Sequence, residues 1–166
     1  VDVPIRHLVF ICNADDNNVM KLLRELEPLE RVGGMSVFRF VGENRGFAKS
    51  INLGLRRARQ VLLGYSEFAF LPKWDTQKLP IWYAPINCDA VFTQNAWRRF
   101  TTKVNLEVQK QEKGSDGRVP GLFYGNIIDH YAFGVSDAAI RAGGYFDEVF
   151  FPAYMEDIDF KWRIHN

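Results

Sequence analysis

The chain has 166 residues, of which 47% are hydrophobic and 14% aromatic, and its formal net charge is +1. That size suits one domain with a real core, and that composition excludes a disordered tail. Near-neutral charge gives no global reason to expect a nucleic-acid partner, and no apolar run approaches the ~20 residues that cross a bilayer.

The N-terminus lacks the basic-then-apolar order of a secretory signal, so the expected location is cytoplasmic, or peripheral to a membrane, with no transmembrane segment. His7–Cys12 (HLVFIC) is a short continuous apolar run, the pattern of a strand covered on both faces. Asn13 to Asn18 are turn formers and caps, after which Val19, Leu22, Leu23 and Leu26 recur at helical spacing over Val19–Leu29. Gly33 and Gly34 mark a loop, and Met35–Val41 returns as a strand. Strand, helix, strand is the unit of a parallel α/β sheet, whose ligands gather at the carboxyl ends of the strands. Cys12–Asp16 and Gly42–Gly46 therefore fall on a binding edge.

At Gly46 the backbone can approach a ligand, and a helix starting near Phe47 directs its N–H groups at that point. Phe47, Ile51 and Leu55 are expected to face inward, with Lys49, Arg56 and Arg59 toward solvent. Val61–Leu63 reads as a further strand ahead of Pro72 and Trp74. Asp75 and Asp89 read as loop or strand-end caps, and Ala90–Thr93 as strand-like. Cys12 and Cys88 read as buried free thiols in a reducing compartment. Asn95–Gln111 is expected to be helical, Lys110–Arg118 a surface loop, and Leu122–Phe133 strand-like, with Asp129 and a structural His130.

The last stretch, GGYFDEVFFPAYMEDIDFKWR over Gly143–Arg163, holds three carboxylates in four residues: Glu156, Asp157 and Asp159. They lie between Phe150, Phe151 and Tyr154 on one side and Phe160 and Trp162 on the other. Carboxyl groups among large apolar neighbours lose solvation, a setting in which one of them can serve as general base. The plainer alternative is a helix N-terminus whose acids oppose the positive end of the dipole. A helix over Tyr154–Ile164 would put Asp157 and Lys161 on one face, and Glu156 with Phe160.

This stretch resembles the segment of inverting family-two glycosyltransferases written GGFDE-x-FF-x-Y-x-ED-x-D-x-x-x-R, of the rhamnosyltransferase-like kind. GENRGFAKSINLGLRRA resembles their EN-x-GFA-x-A-x-N-x-G-L, with Ser50 for the usual alanine. HLVFICNADDNN resembles IVVDN-G-S-x-D, with Cys12 where an aspartate is expected. QVLLGYSEFAFLPKW resembles LLNDD-x-x-x-x-P-x-W, with Tyr65, Ser66 and Glu67 at the acidic positions. The match covers roughly residues 6–74 and 134–163, while the middle third has little counterpart.

The resemblance implies a single GT-A-type catalytic domain over residues 1–166: a mostly parallel α/β sheet flanked by helices, shortened at both ends or a piece of a longer chain. It implies transfer of a sugar from a nucleotide-activated donor to the hydroxyl of a glycan or other acceptor, with inversion, as in polysaccharide biosynthesis. Asp157 carries over as the base, with Glu156 as second choice. Asn13, Asp15, Asp16, Asn44, Arg45, Gly46, Lys49 and Asn52 carry over as donor-binding positions, although Asn52 and Gly54 can equally serve helix packing. Glu67 carries over as ligand to a divalent cation, Mg or Mn, since carboxylate oxygens suit both. Two other readings stay open: a noncatalytic domain that binds nucleotide-sugar or glycan, and a nucleotidyltransferase-like enzyme.

Overall fold

A computed structural model of the chain describes residues 7–13, 17–25, 36–63, 82–86, 93–112, 122–124 and 132–165. The chain divides into two compact units, one made of Pro4–Pro72 with Phe146–Glu156, the other of Val1–Val3, Lys73–Tyr145 and Asp157–Asn166.

In the first unit, strand β1 (His7–Cys12) leads through helix α1 (Asn17–Glu25) to strand β2 (Ser36–Val41). The two strands pair in parallel, His7 opposite Ser36 through to Cys12 opposite Val41. The expected strand–helix–strand unit is therefore present, with the parallel pairing that a crossover helix allows. Helix α2 (Phe47–Leu63) follows and runs beside β1, where a Cβ at Gly54 would stand 3.8 Å from Ile11. That is ordinary van der Waals spacing, so the packing does not require glycine at position 54.

Two expectations about α2 are corrected. Val61–Leu63 is its last turn and not a strand, because the helix meets no breaker before Gly64. Its buried stripe is Ala48, Asn52 and Leu55, while Phe47 and Ile51 are half-buried. Leu55 is buried as expected, while the expected Phe47 and Ile51 give way to their neighbours Ala48 and Asn52, the latter a polar side chain.

The second unit contains strands β3 (Trp82–Tyr83), β4 (Leu122–Tyr124) and β5 (Phe133–Ser136), with β5 between the other two and antiparallel to both. Helix α3 (Gln94–Glu112) extends into the predicted loop, making Lys110–Glu112 helical. Every residue of β5 is buried. Ser136 then caps helix α4 (Asp137–Gly143), its Oγ accepting the Ala139 N–H at 3.0 Å. Asp137 in the first turn accepts from the Tyr83 hydroxyl at 2.9 Å and pairs with Arg141 at 3.2 Å. Phe100, Phe133, Val135, Ile140 and Phe160 form the apolar interior, with Phe160 supplied by helix α5 (Glu156–His165). Cys12 is half-buried and outside any disulfide, while Cys88, Asp75, Asp89, Asp129 and His130 lie outside the described residues. Among the described residues, no helix is long and apolar enough to cross a membrane.

Candidate functional site

The glycine turn before α2 is built from local sequence. Asn44 accepts the Gly46 N–H on its side-chain oxygen at 2.9 Å, the short loop closure to which asparagine is suited. Gly46 has φ of 77°, and a Cβ there would stand 2.7 Å from the Pro152 carbonyl oxygen and 2.8 Å from the Phe151 ring. Only glycine fits. The Phe47 N–H, first in the helix, donates to that same Pro152 carbonyl at 2.9 Å. The close approach foreseen at Gly46 is thus made by the chain's own arm, Phe146–Glu156, and one of the helix's leading donors is used there.

Asn52 is fully buried and holds the base of the same arm. Its amide donates to the Phe146 carbonyl at 2.8 Å and to Glu148 at 2.9 Å, and its oxygen accepts the Phe146 N–H at 3.0 Å. Arg56 adds an ion pair to Glu148 at 3.2 Å. A buried amide with its donors and acceptor engaged is a structural clamp. Asn13 is tied to the turn as well: the Ser50 hydroxyl lies 2.8 Å from its side-chain oxygen and 2.7 Å from the Gly46 carbonyl. With a single proton, that hydroxyl donates to one of the two at a time.

Beside this turn lies a hollow of about 730 Å³, within the size range of small-molecule sites. Arg45 and Lys49 line it together with Glu43 and Asn44, and the arm contributes Glu148 and Phe151. The Arg45 guanidinium folds over Gly42, where a Cβ would stand 3.2 Å from its Nη2, and its Nη1 is buried with no hydrogen-bond partner. A buried donor left unmet costs about 1–3 kcal/mol, more when charged. Lys49 is exposed. The hollow therefore offers two cations, two carboxylates, an amide and one aromatic ring.

Farther along the arm, Tyr154 and Met155 both adopt left-handed backbone, with φ of 84° and 76°. Each such residue costs on the order of 1–3 kcal/mol. They end the arm and delay the helix, so α5 starts at Glu156 and not at Tyr154 as expected. Val149, Phe151 and Tyr154 are 75%, 64% and 83% exposed.

Of the three carboxylates, Glu156 is buried and Asp157 and Asp159 are half-buried. Arg163 holds Asp159 at 2.8 Å, donates to the Gly143 and Tyr145 carbonyls, and lies 5.4 Å from the centre of the Phe160 ring.

The expected donor-binding positions thus separate into kinds. Arg45, Lys49 and Asn44 line the hollow; Asn13, Gly46 and Asn52 build the turn and clamp the arm. Asp15, Asp16 and Glu67 lie outside the described residues. Among the described residues, no group of three His, Cys, Asp or Glu side chains is placed to hold a metal ion. Glu43, Glu148 and Phe151 were not singled out as site residues by sequence reasoning. Glu148 and Phe151 stand inside the motif quoted above, and the signal that could have marked them is their spacing from Gly144.

Comparison with known proteins returns a relative for a fraction of the chain. A protein named galactofuranosyl glycosyltransferase from Leishmania donovani is 47% identical over 45 residues, which is 26% of this chain and 10% of that protein. The chain thus matches about a tenth of the length of this curated relative. No family model matches the chain. No solved structure matches it either. A stretch of the chain is therefore similar to part of a glycosyltransferase.

Proposed function

We propose that this chain is an inverting glycosyltransferase of GT-A type, moving a sugar from a nucleoside-diphosphate donor to an acceptor hydroxyl. The observation that carries this reading is the seating of the Phe146–Glu156 arm on the Gly46 turn. Two stretches about a hundred residues apart, each resembling a different motif of one enzyme family, meet at Gly46 and Pro152, beside a hollow lined by Arg45 and Lys49. The partial likeness to a galactofuranosyl glycosyltransferase supports the same class.

In this mechanism Asp157 accepts the proton of the acceptor hydroxyl as that oxygen attacks the anomeric carbon. The bond from that carbon to the diphosphate breaks on the opposite side, which inverts the centre. The departing diphosphate takes the electron pair, and Arg45 and Lys49 stabilise the charge it gains. Asp157 is the position that the resemblance carries over as base, and unlike the buried Glu156 it leaves surface for an acceptor hydroxyl to reach. Mg or Mn is the cofactor that the resemblance brings with it, through Glu67. The described part of the hollow does not fit such an ion, since Arg45 and Lys49 both line it, and no step here is routed through a metal.

The test is transfer and donor binding measured together. Asp157→Asn should lower turnover by about 10²–10⁴, the range for loss of a general base, with donor affinity within twofold of the parent. Retained turnover would remove Asp157 from the role.

A further inference from the structure

Phe151 and Tyr154 lie on the same arm, and the reading above does not use them. Phe151 lines the hollow, with one edge of its ring against Gly46, yet it remains 64% exposed. Three residues later Tyr154 is 83% exposed. Its own backbone and that of Met155 are left-handed, a conformation that large side chains rarely adopt. Exposed apolar area next to a polar hollow marks a binding surface when it is concentrated and held in place.

The chemistry of the neighbours narrows the ligand. Glu43 and Glu148 bring carboxylates that accept hydrogen bonds from hydroxyl groups, beside Arg45 and Lys49. Aromatic faces beside carboxylates suit a ligand with both C–H faces and many hydroxyls.

We propose that Phe151 and Tyr154 form a stacking shelf for a saccharide, and that this saccharide is the acceptor. The second half rests on the glycosyltransferase reading; the first does not. The shelf holds a sugar ring by its C–H face and leaves its hydroxyls toward the hollow.

The experiment titrates neutral oligosaccharides ending in galactose, mannose or rhamnose into the full chain, followed by NMR of the tyrosine rings and by calorimetry. Tyr154→Asn removes the ring while keeping a residue that tolerates left-handed backbone; Phe151→Leu keeps an apolar contact with Gly46. At least one oligosaccharide is expected to bind and shift the Tyr154 resonances. Affinity should fall about tenfold in either variant and stay within twofold in Tyr154→Phe. Donor hydrolysis to water by the parent protein, read as released nucleoside diphosphate, is measured alongside. No binding by any oligosaccharide, unchanged affinity in Tyr154→Asn, or binding to neutral vesicles alone would overturn the proposal. Saccharide binding without any diphosphate release would leave the shelf standing and remove the glycosyltransferase reading. Diphosphate release with no saccharide binding would do the reverse.

Discussion

Arg45 and Arg163 are both half-buried, and each lies against a glycine: Arg45 over Gly42, and Arg163 at 3.5 Å from where a Cβ on Gly144 would stand. Their donors are used differently. Arg163 gives its N–H groups to Asp159 and to the Gly143 and Tyr145 carbonyls, and its plane approaches Phe160, so it ties α5 to the turn before it. Arg45 keeps a buried Nη1 without a partner, next to an exposed lysine, in a hollow of ligand size. Folding alone explains the first arrangement. The second leaves a cost uncompensated by the described chain.

Arg163→Ala removes the Asp159 pair, two bonds to carbonyls and the ring contact, and should lower unfolding stability by about 3 kcal/mol. Ligand affinity of the folded protein should not change, and a binding defect with normal stability would give Arg163 a role in ligand binding. A much smaller effect is expected at Arg56. Its pair with Glu148 is partly exposed, with side chains 38% and 32% accessible, so Arg56→Ala should cost under about 1 kcal/mol in chemical denaturation. A larger loss would mean that the clamp on the arm depends on Arg56 and not chiefly on Asn52.

Much of this arrangement was legible in the amino-acid order, and the gaps have physical causes. HLVFIC declares itself as a strand because a continuous apolar run leaves few alternatives, MSVFRFV because valine and phenylalanine follow a glycine loop, and the helix between them follows from its spacing. The glycine turn was legible too, though not its occupant, since a glycine does not reveal which backbone comes close. The inward face of α2 was missed in part because periodicity counts apolar side chains and Asn52 is buried by hydrogen bonding. The delayed start of α5 was hidden as well: Tyr154 and Met155 are poor candidates for left-handed backbone, and no glycine announces it. Motif likeness placed Arg45 and Lys49 among the donor contacts, but it could not separate them from Asn13 and Asn52, whose partners come from distant parts of the chain.

We propose that the hollow beside Gly46 takes the diphosphate of a sugar nucleotide on Arg45 and Lys49. Calorimetric titration of UDP-, GDP- and dTDP-sugars, in EDTA, tests it in the parent and in the Arg45→Gln/Lys49→Gln variant. We predict that at least one donor binds the parent. Loss of two charge-assisted contacts of about 1.5 kcal/mol each should then weaken that binding about 150-fold in the variant, with folding unaltered. Equal affinity in the two proteins, or no binding by any donor, would contradict the account.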